Sequence, residues 1–63
     1  MNALELINIG GTELRQKKID SFRLDSELLL SKILNKKREQ ILINLDQEIS
    51  QKKFSRYKKL IQR

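Results

Sequence analysis

Arg23, Asp25 and Glu27 place one cation and two carboxylates within the five residues RLDSE. Paired carboxylates are the raw material of general acid–base chemistry, but nothing around these two supplies a pocket or a set of partners. Arg23 and Glu27 stand four apart, as a helical ion pair worth about 0.2–0.5 kcal/mol does, and Asp25 is a first-turn acid near the positive end of a helix. Glu27 is therefore read as structural, whereas Arg23 and Asp25 are equally candidates for contact with a partner. A second set, Lys52, Arg56, Lys59 and Arg63, recurs at helical spacing. Such a stripe can meet nucleic-acid phosphates or an acidic protein surface, or can simply face water. Arg56, Lys59 and Arg63 join Arg23 and Asp25 as candidate partner contacts. The pair Gly10-Gly11 lacks the spacing and the preceding strand of a phosphate-binding loop. With no histidine and no cysteine, imidazole catalysis and thiolate or imidazole zinc sites are excluded. No catalytic, cofactor-binding or metal-ligating residue is assigned.

These side chains need helices to position them. The chain of 63 residues has no proline, two glycines and 38% apolar residues, a composition that favours helices over disorder or a turn-rich sheet. A domain this small buries only about 60% of its unfolded surface, so a deep catalytic cleft is not expected. Residues 2 to 17 carry Ala3, Leu4, Ile7, Gly10, Gly11 and Leu14 on one face at about 100° per residue. Two adjacent glycines cost about 2 kcal/mol relative to alanines in a helix interior. Because both fall on the apolar face, a continuous helix that lets a neighbour approach closely is expected. Ile19 turns inward from the connection 18–21, where Asp20 or Ser21 is available as an N-cap.

The stretch FRLDSELLLSKIL, residues 22 to 34, is apolar on two sides. Phe22, Leu29, Leu30, Ile33 and Leu34 share one, and Leu24 and Leu28 lie roughly opposite. Such a helix is expected to be surrounded by others, with Leu28, Leu29 and Leu30 all in the core. Asn35 suits a left-handed C-cap. A short helix over 37–43 offers Ile41 and Leu42, Leu45 and Ile49 anchor the next connection, and Ser50 caps a last helix from Gln51 onward. There Phe54, Tyr57 and Ile61, with Leu60 beside them, face the core, away from the basic stripe. The expected fold is all-α, a small bundle of roughly four to five short helices around a central leucine-rich helix.

Net charge is +6, and residues 1–51 balance eight bases against eight acids. The whole excess lies in Lys52, Lys53, Arg56, Lys58, Lys59 and Arg63, so an electrostatic partner should feel the last helix. No run reaches the ~20 apolar residues of a membrane span, and no basic leader precedes an apolar run. A cytoplasmic protein is expected. The last helix runs out without a terminating residue, as a piece of a longer protein would.

The signature from Arg23 to Leu34, RLDSELLLSKIL, resembles the N-terminal domain of the HemK/PrmC family, the protein-glutamine N5-methyltransferases that modify peptide chain release factors. In that family R-L-D-A-E-L-L-L-A-H-V-L-G precedes a short helix with an arginine and several leucines, then an E-L-S that opens a further helix. Arg38, Ile41, Leu42 and Ile43 match the short helix, and Glu48, Ile49 and Ser50 match the opening triplet. Ser26, Lys32, Asn35 and Phe22 depart from the alanine, histidine, glycine and proline common there. The likeness covers nearly the whole chain. It implies that residues 1–63 are a helical substrate-recognition domain whose partners are a release factor and a separate catalytic domain. That second domain carries the S-adenosylmethionine site and an N-P-P-Y motif. Neither occurs in this chain, which should be inactive as a methyltransferase alone. The alternative is a small basic helical nucleic-acid-binding module. It ranks below a protein partner because the charge sits on one helix without an accompanying set of base-reading residues.

Overall fold

The computed structural model describes residues 1–62, and Arg63 lies outside the described residues. Four helices form, α1 over Ala3–Gln16, α2 over Phe22–Leu34, α3 over Arg38–Ile43 and α4 over Gln51–Gln62. The all-α bundle read from the sequence is the fold of the chain, and no strand occurs among the described residues.

The start of α1 is closed by a reciprocal cap. The Glu5 N–H donates to Asn2 Oδ1 at 2.9 Å, and the Asn2 N–H donates to Glu5 Oε1 at 3.1 Å. Two more first-turn donors would otherwise be orphaned. Those of Ala3 and Leu4 reach the carbonyls of Gln47 and Leu45, each at 3.1 Å, while the Ile49 N–H donates to the Met1 carbonyl at 2.8 Å. The connection between α3 and α4 is thus ordered by the backbone groups of the α1 terminus. The Met1 ammonium also meets the Glu48 carboxylate at 2.7 Å, on the surface.

Lys18 ends α1 with φ of 62°. The Ile19 N–H reaches the Leu14 carbonyl at 3.1 Å and the Lys18 N–H the Arg15 carbonyl at 2.9 Å. That bonding pattern is a Schellman motif with lysine in the left-handed position, and Ile19 packs against the core cluster that includes Leu14. Asn35 ends α2 in the expected left-handed conformation, with φ of 54°. Ser21 occupies the N-cap position of α2 but makes no side-chain cap bond. Its hydroxyl donates to Asp25 Oδ2 at 3.1 Å instead. Ser50 does cap α4, accepting the Lys53 N–H at 3.4 Å.

Helices α1, α2 and α4 pack against one another, and α3 docks on α2, so α2 touches all three other helices. The core comprises Ala3, Leu6, Ile7 and Leu14 of α1, Leu30 and Leu34 of α2, and Ile41, Ile49, Tyr57 and Ile61 beyond them. Expectations on three helices need correction. On α1 the buried arc takes in Leu6 while Leu4 is exposed, because contact with both α2 and α4 widens that arc. On α2 the second apolar side is not covered: Leu24 and Leu28 are 44% and 48% exposed. The three neighbours of α2 gather over the arc of Ser26, Glu27, Leu30 and Leu34, and a bundle of this size has no further helix for the opposite side. Leu29 is half-buried, and only Leu30 of the three consecutive leucines is fully enclosed. Leu42, expected in the core from α3, is also exposed.

Candidate functional site

Tyr57 sets how closely the three long helices approach. Its side chain is fully buried, and its hydroxyl donates to the Ser26 carbonyl of α2 at 3.1 Å. A Cβ built on Gly10 would lie 2.1 Å from Tyr57 Oη and 3.1 Å from Ile61 Cδ1. Gly10 is therefore the notch of α1 that receives the α4 phenol, so the close-approach reading holds for the first glycine of the pair. Ser26 is itself buried and donates its hydroxyl to the Arg23 carbonyl at 2.8 Å. Burial pushes the Tyr57 phenol up to about 12, and the Glu27 carboxylate adds in the same direction.

Glu27 is 6% exposed and its partner is not Arg23, four residues back. Arg38 of α3 donates to Glu27 Oε1 through Nε at 2.7 Å. The contact across helices wins because α3 carries its guanidinium over the buried carboxylate, while Arg23 stays on the surface at the start of α2. Glu27 is structural, as expected from the sequence, but its bond fastens α3 to α2.

On the outer side of the seam between α1 and α2 lies a groove of 290 Å³. Asn8, Gly11, Thr12 and Arg15 line it from α1, Phe22 and Arg23 from α2, with Ile7 and Ser26 beneath. Of the sequence candidates only Arg23 enters this lining. Asp25 is half-buried and engaged by Ser21. Arg56 and Lys59 are exposed on α4 and line no part of the groove, and Arg63 lies outside the described residues. Arg23 is joined by Arg15, which sequence reasoning did not single out. The signal was present as Asn8, Thr12 and Arg15 at helical spacing around Gly11, on the polar border of α1.

Two further surfaces are open. Leu24 and Leu28, one helical turn apart, form a bare apolar ridge on α2. On α4, Lys52, Lys53, Arg56, Lys58 and Lys59 are exposed, and none is in an ion pair among the described residues, where the pairs are Met1–Glu48 and Arg38–Glu27. Lys58 lies 5.8 Å from the Phe54 ring centroid, a cation–π distance. Among the described residues no group of three or more histidine, cysteine or acidic side chains could hold a metal ion, and no helix is long and apolar enough to cross a membrane.

A family model described as the PrmC N-terminal domain matches residues 5–63. No curated protein and no solved structure matches the chain.

Proposed function

The chain belongs to the PrmC N-terminal domain family, and from that premise we propose that it is the protein-docking half of a protein-glutamine N5-methyltransferase, holding a peptide chain release factor so that a glutamine reaches a catalytic domain elsewhere in the parent protein. The family match over residues 5–63 carries this reading. The bare Leu24–Leu28 ridge supports it, because exposed leucines one turn apart are what a helix offers to a protein surface. Docking supplies position rather than chemistry: a substrate protein held in register turns an encounter between two macromolecules into an intramolecular step.

S-adenosylmethionine is the methyl donor the family implies for the parent enzyme. The residues of this chain do not fit it. Gly10 and Gly11 sit inside α1 rather than in a loop at a helix N-terminus, and the space beside Gly10 is filled by Tyr57. No step of transfer is therefore assigned to this chain, and its side chains bind and orient only. A cytoplasmic location belongs to the same proposal.

Titration of the chain with a purified release factor at physiological salt tests the reading. Saturable binding is expected, weakened by the double substitution Leu24→Ser, Leu28→Ser with the melting temperature unchanged or raised, since both side chains are already exposed. Absence of binding overturns it. The exposed cations of α4 favour a second reading, a nucleic-acid-binding module. That reading requires affinity for DNA or RNA that falls steeply with salt and is lost on neutralising Arg56 and Lys59.

A further inference from the structure

The adjacent glycines of α1 face different demands. Gly10 is required by Tyr57, but a Cβ on Gly11 would stand 3.6 Å from Phe22 Cδ1 and 3.8 Å from Ser26 Oγ, ordinary van der Waals distances. The backbone of α1 is continuous there and neither glycine has a positive φ. Alanine would fit and would favour the helix, so packing and conformation leave Gly11 unexplained. Gly11 lies in the wall of the groove between α1 and α2, where the absent side chain leaves room beside Phe22 and Ser26.

The chemistry of the groove is one-sided. Arg15 and Arg23 enter from opposite helices, no aspartate or glutamate lines it, and neither guanidinium is in an ion pair among the described residues. The Asn8 carboxamide makes no hydrogen bond to protein among the described residues, whereas the Thr12 hydroxyl is engaged by the Asn8 carbonyl at 2.8 Å. Phe22 and Ile7 add apolar surface. Planar guanidinium forks match a carboxylate in two-point geometry. A phosphate backbone needs a long cationic track, and the cations of α4 do not extend this one.

We propose that this groove binds a carboxylate side chain, flanked by an apolar residue, from an acidic segment of the docked protein. Arg15 and Arg23 clamp the carboxylate, Asn8 donates from the side, and the notch at Gly11 admits the chain carrying it. The identity of the partner rests on the docking function proposed above; the site itself does not.

The probe is a capped tetrapeptide, acetyl-Leu-Glu-Glu-Phe-amide, titrated into the 15N-labelled chain and compared with its Gln-Gln counterpart. Amide shifts centred on Gly11, Arg15 and Arg23 are expected, with the neutral peptide about tenfold weaker. Arg15→Gln with Arg23→Gln should weaken the acidic peptide at least about tenfold while the fold, read from the remaining amides, is kept. Gly11→Ala should raise the melting temperature and still weaken the peptide, a combination that a merely structural glycine does not produce. Shifts centred on Lys52, Arg56 and Lys59, equal binding of the two peptides, or saturation of the groove by a single-stranded RNA but not by the peptide would each overturn the proposal. A peptide that titrates the groove of a chain that binds no release factor leaves the site standing and sinks the release-factor reading. A release factor that binds the doubly substituted chain as tightly as the native one sinks the groove's role and leaves docking intact.

Discussion

Gly10 and Tyr57 are a coupled pair at the centre of the molecule. A methyl group at position 10 would sit 2.1 Å from the phenol oxygen, and that oxygen is held by the Ser26 carbonyl, so it cannot swing aside freely. Gly10→Ala is expected to destabilise the chain by about 2–3 kcal/mol in urea melts, the overpacking cost exceeding the gain in helix propensity. Tyr57→Phe in the same chain should recover part of that loss, because the atom in closest conflict is gone, and a double-mutant cycle measures the recovery. Glu27 and Arg38 form the other coupled pair. Arg38→Gln strands a carboxylate that is 6% exposed and should cost about 1–3 kcal/mol. The double change Glu27→Gln, Arg38→Gln should cost less than Arg38→Gln alone, since the stranded charge is then removed. Chain distance misdirected the sequence reading of Glu27. Arg23 is the local partner at helical spacing, but burial selected the guanidinium eleven residues away.

The helices are stable to the degree that their ends are closed and their apolar stripes covered. α3 has only six residues and could not persist alone; buried Ile41 and the Arg38–Glu27 bond hold it on α2. The end of α1 carries a removable cost. Lysine at φ of 62° occupies a region that glycine enters without steric penalty, and its own N–H and that of Ile19 complete the bonding pattern that needs it. Lys18→Gly should stabilise the chain by about 1 kcal/mol, read as a higher urea midpoint with unchanged slope. Lys18→Val should do the reverse. The Lys17 ammonium, next to it, donates to the Ile61 carbonyl at 2.7 Å, so a cation from the end of α1 sits at the C-terminal turn of α4, where the helix dipole favours positive charge. That contact spans 44 residues of sequence, and no local pattern announces it.

Alkaline stability is a property of the assembled bundle. The Met1 ammonium, bonded to the Glu48 carboxylate, is held above its ordinary value of 8.0, and burial raises the Tyr57 phenol to about 12 from 10.0. Both groups bind their proton more tightly in the folded chain than in the unfolded one. Their contributions are therefore complete below the unfolded values and are lost as pH rises towards the folded ones. The surface pair at Met1 should fade first, above pH 8. Tyr57 should then remove on the order of 2 kcal/mol between pH 10 and 12. Tyr57→Phe should cost about 1 kcal/mol at pH 7 through the lost hydrogen bond and flatten the decline above pH 10; urea midpoints at both pH values measure this. The sequence by itself determined the helical class, the approximate positions of the helices, the C-cap at Asn35, the notch at Gly10 and the family signature, because each is written in neighbours within one or two helical turns. Only the tertiary structure decided that Leu24 and Leu28 stay bare, that Glu27 answers to Arg38, and that Arg15 joins Arg23 over Gly11. A helical wheel records which residues share a side of one helix, but it contains no information on which sides the other helices reach.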